Sequence, residues 1–67
     1  MKTIDARGLS CPEPIMLTAE ALKGTKEKVV VLVSEPVQKT NVEKYAKSKG
    51  KKVTSVEKDG CFELTIQ

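Results

Sequence analysis

The sequence predicts an α/β fold of the two-layer (α+β) sandwich type, with the element order β-α-β-α-β-β. Three observations carry this prediction: a β-branched run at residues 29–33, two segments with apolar residues at helical spacing, and two closing strand-like segments joined by Asp59-Gly60. At 67 residues the chain suits one domain, spanning residues 1–67. We therefore expect two helices on one face of a four-stranded mixed sheet, whose other face stays open to solvent or a partner.

A short strand and a turn are predicted ahead of the first helix. Residues 2–6 alternate between polar and apolar side chains, as a half-buried strand does. Gly8 suits a turn, because glycine adopts backbone conformations that are energetically unfavourable for other residues. Asp5 is expected to make a turn-forming contact with the backbone of Arg7 and Gly8 rather than to act in catalysis.

The first helix is predicted to begin at Pro12 and to end at Gly24. Proline suits the first helical position because its missing N–H has no intrahelical partner there. Apolar residues recur at helical spacing over residues 15–22, and Gly24 is a typical C-terminal residue. This arrangement puts Cys11 at the N-cap.

A central strand and a second helix follow. Residues 28–33 form the nearly continuous β-branched run of an interior strand, expected to pair parallel with the first strand through a right-handed crossover. Ser34-Glu35-Pro36 breaks this strand. Residues 40–43 read Thr-Asn-Val-Glu, the form of a capping box, so the second helix is predicted to begin there and to end at Gly50.

The last two strands are predicted to form a hairpin. They cover residues 51–57 and 61–67 and are joined by residues 58–60, where Asp-Gly is a strong turn signal. In the last strand Phe62, Leu64 and Ile66 share one side, which leaves Cys61 on the other side. Because the neighbouring sequence gives Cys61 no electropositive surroundings, we interpret this cysteine as incidental.

Cys11 is the strongest candidate for a reactive group. Unpaired N–H groups and the helix dipole favour a thiolate over a thiol at a helix N-terminus. The chain contains no His, so Cys11 works without a Cys–His pair. The alternative is a small core residue, since free cysteines are often buried. Pro12, Pro14 and the preceding turn argue against burial, and the residues alone leave both readings open.

Composition and charge argue against several classes of protein. Twelve basic and 9 acidic residues give a net charge of +3, too mild a bias to indicate a nucleic-acid partner. One Tyr, one Phe and no Trp offer no platform for stacked bases. Two distant Cys and no His fit no metal-ligand spacing, so we expect no metal. The lysines at 47, 49, 51 and 52 are interpreted as a solvated face that complements the end of the second helix.

The apolar segments are also informative about location. The longest apolar run, residues 29–33, is far too short to cross a bilayer. The N-terminus lacks the apolar stretch of a signal peptide. We therefore expect a cytoplasmic protein with no membrane partner.

The segment from Asp5 to Pro14 reads Asp-Ala-Arg-Gly-Leu-Ser-Cys-Pro-Glu-Pro. It resembles the Asp-x-x-Gly-x-x-Cys-Pro-x-Pro signature, with its CPxP motif, of the TusA and SirA type of sulfur carrier, and the similarity extends over nearly the whole chain. The resemblance implies a sulfurtransferase-like carrier that holds sulfur as a persulfide on Cys11. It implies a sulfur donor, either a cysteine desulfurase or a rhodanese-like protein, and an acceptor protein, with no cofactor.

The resemblance also implies that residues around the cysteine support the site. Arg7 lies near enough in sequence to help hold a persulfide or a partner carboxylate, with a solvated arginine as the alternative. Glu13 complements the helix dipole, and Met16 is either a partner contact or a core filler. The supporting residues are expected to be Asp5, Arg7, Gly8, Pro12, Glu13, Pro14 and Met16.

Other functions remain open at this point. Asn41-Val42 and residues 45–50 look more like the N-terminal domain of YedF-type proteins, which are linked with selenium metabolism, so the same thiol could carry selenium. Ser34-Glu35 also departs from the acidic pair or Asp-Pro that carriers often have after the central strand. A noncatalytic regulatory or RNA-binding domain is the third alternative, and whether the chain is an enzyme is left open.

Overall fold

The computed structural model describes residues 2–10, 12–24 and 27–67. In this part of the chain a four-stranded sheet has the strand order β1-β2-β4-β3. Strand β1 pairs parallel with β2, whereas β4 is antiparallel to both β2 and β3. The elements are β1 (Lys2–Asp5), α1 (Glu13–Gly24), β2 (Val29–Val33), α2 (Pro36–Ser48), β3 (Val53–Lys58) and β4 (Cys61–Ile66).

The hydrophobic core lies between the two helices and one face of the sheet. Alternate residues of β2 and β4 face this core, because side chains alternate across a strand, and the core residues of α2 are one helical turn apart. The predicted two-layer fold, with an interior β2 parallel to β1, is confirmed. The fully buried residues of the core include Val29, Val31, Val33, Leu64, Ile66, Ala21, Val42 and Ala46.

The closing hairpin has the tight turn that the sequence predicts. Asp59 and Gly60 both have positive φ, 46° and 81°, which is the backbone of a two-residue type I′ turn. Lys58 pairs with Cys61 directly across this turn. Strand β3 begins at Val53, two residues later than predicted, and extends through Lys58.

The predicted start of the second helix is wrong. Helix α2 begins at Pro36, with Glu35 as its N-cap, and the Glu35 carbonyl accepts bonds from the N–H groups of Gln38 and Lys39 at 3.1 Å each. Proline at the first helical position has the required φ already fixed, so the helix forms without a side-chain cap. The expected capping box at residues 40–43 lies inside the helix instead.

The first helix begins one residue later than predicted. Its first residue is Glu13, and the Pro12 carbonyl accepts the first helical bond, from the N–H of Met16 at 3.0 Å. Gly24 is its last residue, as expected. Neither helix has the length and apolar character that a bilayer-spanning segment needs, judged over the described residues.

Candidate functional site

The described residues of the predicted signature lie where β1 ends and α1 begins. Because α1 begins at Glu13, Pro12 directly precedes the helix, so the predicted N-cap position is one residue too early. Cys11 itself is outside the described residues. On its two sides, the Ser10 carbonyl accepts a bond from the Glu13 N–H at 2.9 Å, and Pro12 is exposed. The flanking backbone therefore leads directly into the first turn of α1.

Asp5 and Arg7 form a bidentate ion pair at the end of β1. Arg7 Nε donates to Asp5 Oδ1 at 2.9 Å, and Arg7 Nη2 donates to Asp5 Oδ2 at 2.8 Å. The Arg7 backbone N–H also donates to Asp5 Oδ1 at 3.2 Å, which is the turn contact that the sequence predicts. These hydrogen bonds, from the side chain first and then the backbone, lower the pKa of Asp5 from 3.8 to about 2.

Gly8 ties the signature to the neighbouring strand. It has a φ of 80°, and its N–H donates to Ser34 Oγ at 2.9 Å, just beyond the end of β2. The Leu9 N–H reaches back to the Ala6 carbonyl at 3.3 Å, which closes the turn. Positive φ explains the requirement for glycine here. Ser34 was not among the predicted site residues, because nothing in the sequence shows that it meets Gly8.

Glu13 and Pro14 occupy different environments in the first turn of α1. Glu13 is exposed at the positive end of the helix, as predicted. Pro14 is fully buried, and its carbonyl accepts a bond from Thr18 Oγ1, also buried, at 2.8 Å. Pro14 therefore anchors the start of the helix in the core.

Met16 is the exposed apolar residue of this region. Met16 is 61% exposed, so it is not a core filler, and its role as a partner contact stays a prediction. Leu9 and Leu17 join it in lining a groove of about 370 Å³ that Glu13 and Glu20 border. This apolar surface with acidic edges includes Leu9 and Glu13 of the signature and continues along α1.

Cys61 lies nearer to the signature than the sequence indicated. Val33, the last residue of β2, pairs with Phe62. Cys61 precedes Phe62 and therefore lies at the end of β4 that is nearest to Ser34. Asp5 pairs with Leu32, and Leu32 pairs with Glu63, so these three side chains share one face of the sheet. Cys61 is two residues from Glu63 and therefore lies on the same face, which is the open one.

Arg7 lies beside Cys61, a neighbour that the sequence did not indicate. Hydrogen bonds and charge from Asp5 raise the pKa of Arg7 most, and Cys61 contributes further in the same direction. The interpretation of Cys61 as incidental stays a prediction. The half-buried thiol of Cys61 is free. Sequence reasoning missed this contact because only the strand order brings residues 7 and 61 together.

Gln38 is a second residue that the sequence did not single out. It lies in the first turn of α2 and is 4% exposed. Its Oε1 atom is buried and accepts no hydrogen bond from any described residue. Among the described residues, no group of three or more His, Cys, Asp or Glu side chains is placed to hold a metal ion.

The fold and the signature have known relatives. A crystal structure of a SirA-like protein from Desulfitobacterium hafniense matches this chain with a TM-score of 0.93 and 38% sequence identity, covering 98% of this chain and 95% of that one. A relative from Aquifex aeolicus (strain VF5), named as a candidate sulfur carrier protein, is 33% identical over 60 residues. That match covers 87% of this chain and 30% of the relative's length.

The family assignment rests on nearly the whole sequence. The family described as sulfurtransferase TusA matches residues 2–67, which include every predicted site residue. This match, the relative and the SirA-like structure agree with one another and confirm the predicted resemblance. The chain belongs to the TusA sulfurtransferase family.

Proposed function

We propose that this chain is a sulfur carrier that holds sulfur as a persulfide on Cys11 and relays it between a donor and an acceptor protein. The observation that carries the proposal is the signature of a sulfurtransferase family, in which the Asp5–Arg7 pair and the Gly8–Ser34 bond hold the chain before Cys11. Helix α1 begins at Glu13, two residues after Cys11.

The reaction consists of two substitutions at sulfur. The Cys11 thiolate attacks the outer sulfur of a donor persulfide, the donor's S–S bond breaks, and the donor's cysteine leaves as a thiolate. A new S–S bond on Cys11 then holds the transferred sulfur. A nucleophile of the acceptor attacks this outer sulfur, and Cys11 leaves as a thiolate. Both steps transfer the sulfur without a net change of oxidation state, so they need neither an oxidant nor a cofactor.

The residues that flank Cys11 in the sequence support such a transfer. A helix N-terminus favours the thiolate as nucleophile in the first step and as leaving group in the second. Arg7, whose charge is paired with Asp5, lies within the signature, and the exposed Met16 offers an apolar contact to a donor or acceptor. The donor would be a cysteine desulfurase or a rhodanese-like protein. A cytoplasmic location fits this chemistry, because thiols stay reduced there.

Cysteine variants test the proposal. Cys11→Ser is expected to abolish sulfur loading from a cysteine desulfurase with cysteine while preserving the circular dichroism spectrum, because serine is close in size but cannot hold a transferable sulfur. Cys61→Ser is the matched control and should still load. Persulfide on the Cys11→Ser protein, or none on the wild type with any donor of either class, would contradict the carrier function.

The two alternatives predict other outcomes in this assay. A selenium carrier would load from a selenium donor in preference to a sulfur donor, again on Cys11. A noncatalytic RNA-binding domain would load from neither, and its RNA affinity would be unchanged by Cys11→Ser and fall steeply with salt.

A further inference from the structure

A second groove lies between the two helices, far from the signature. Its floor is formed by Ala19 and Leu22 of α1 and by Tyr45 of α2, all of them half-buried. Lys23, Lys49 and Lys51 form its rim, and the groove has a volume of about 230 Å³. An apolar floor with a cationic rim therefore spans two helices and the segment that follows α2.

The topology explains why lysines converge there. Helix α1 runs from the end of β1 to the start of the parallel strand β2, so its C-terminus lies where β2 begins. Helix α2 likewise ends near the start of β3, which has the same direction as β2 because both are antiparallel to β4. We call this side of the molecule the lysine end; it includes the rim lysines and Lys2, Lys28, Lys47 and Lys52, together with Glu27.

The prediction that these lysines complement the negative end of α2 does not account for the groove. The last carbonyls of α2 already accept backbone bonds: Ala46 from the N–H groups of Lys49 and Lys51, and Lys47 from that of Gly50. The Lys49 ammonium instead lies 5.6 Å from the centre of the Tyr45 ring. The predicted solvated face explains single exposed lysines, but an apolar floor between lysines from different elements needs another explanation.

We propose that this groove binds an acidic segment of a partner protein. One apolar side chain of the segment packs on Ala19, Leu22 and Tyr45, and flanking Asp or Glu carboxylates pair with the rim lysines. Charge complementarity favours an anionic partner, and the aliphatic part of the floor favours a peptide side chain. Nucleic acid fits less well, because Lys49 already lies against the one aromatic ring of the groove, which leaves no free surface for base stacking.

The proposed contact is independent of sulfur transfer. The groove lies at the end of the helices opposite the signature, so a bound segment leaves the signature accessible. A partner could therefore stay bound at the lysine end while Cys11 exchanges sulfur with another protein.

The test uses the reduced full chain, without any sulfur donor, so its outcome does not depend on carrier activity. The probe is a short synthetic peptide of Glu residues around one central Leu, titrated into labelled protein and followed by amide NMR. We expect the largest shifts at Ala19, Leu22, Tyr45 and Lys49. A peptide with Ser in place of Leu should bind about tenfold more weakly, since it loses the buried side chain.

Charge-reversal variants provide the matched control. Lys49→Glu and Lys23→Glu should each weaken peptide binding by about tenfold. Lys44→Glu, an exposed position of α2 outside the groove, changes the net charge equally and should weaken binding by no more than about twofold. Equal effects of Lys44→Glu and Lys49→Glu, no shifts at the floor residues, or tighter binding of an oligouridylate than of the peptide would each overturn the proposal.

Discussion

Arg7 holds both carboxylate oxygens of Asp5 from two residues away, at 2.9 Å and 2.8 Å. Both residues are exposed, so the pair is a surface feature with an unusually favourable bidentate geometry. It fixes the guanidinium over the open face of the sheet, on the side where Cys61 lies. Asp5 is therefore a positioning residue for Arg7 in this site.

The titration of Asp5 tests this pair. The pKa of Asp5 is lowered from 3.8 to about 2 by hydrogen bonds from Arg7. A carboxylate whose pKa is lowered by folding stabilises the protein above its unfolded pKa, and this contribution is lost as the pH falls through the folded value. Arg7→Gln should return the pKa of Asp5 toward 3.8, measured by carboxyl-carbon NMR, and the stability difference from wild type should vanish as the pH falls toward 2.

Arg7→Lys is the control for geometry in that titration. Lysine keeps the charge but cannot bind both carboxylate oxygens as a planar fork does. The pKa of Asp5 in this variant should lie between its wild-type and Arg7→Gln values. If all three proteins titrate alike, the bidentate pair does not exist in solution.

The bond between Gly8 and Ser34 is expected to hold the loop before Cys11. Ser34→Ala removes the acceptor of the Gly8 N–H, so the Gly8 amide should exchange with solvent about tenfold faster. Sulfur loading should also be slower in this variant, while its circular dichroism stays native. Ser48→Ala is the control: it removes a hydroxyl that donates to the Tyr45 carbonyl at the other end of the molecule. This change should alter neither the exchange rate of the Gly8 amide nor the rate of sulfur loading. Unchanged Gly8 exchange in Ser34→Ala would contradict the contact.

The turn between β3 and β4 predicts a large effect of a single side chain. Gly60→Val should lower the free energy of unfolding by more than about 1 kcal/mol, because a β-branched residue is strained at a φ of 81°. Gly24→Ala is the control: among the described residues a Cβ there meets only Lys2 Nζ, at 3.9 Å, and the change should alter stability by less than about 0.5 kcal/mol. Chemical denaturation of both variants measures this difference, and an unchanged midpoint for Gly60→Val would rule out the type I′ turn.

Local sequence signals predicted most of the fold. The Val-rich run and Asp59-Gly60 are short patterns with a direct structural meaning, and both predictions are confirmed. The start of α2 was missed because Pro36 and a plausible capping box compete as start signals, and only packing decides between them.

The parts of the site that depend on strand order could not be predicted. Ser34 meets Gly8, and Cys61 lies beside Arg7, only because β2 stands between β1 and β4. The buried Gln38 was missed because a polar residue in the first turn of a helix usually faces solvent. The Asp5–Arg7 turn contact was predictable because it joins residues two positions apart.

Mass spectrometry of the wild-type protein shows whether Cys11 carries sulfur. The reduced protein is incubated with a cysteine desulfurase and cysteine, weighed intact, and then alkylated, digested and mapped. We expect the added mass of one sulfur atom, located on the peptide that contains Cys11 and removed by dithiothreitol. Sulfur located on Cys61 instead, or no added mass with either a desulfurase or a rhodanese-like donor, would contradict this expectation.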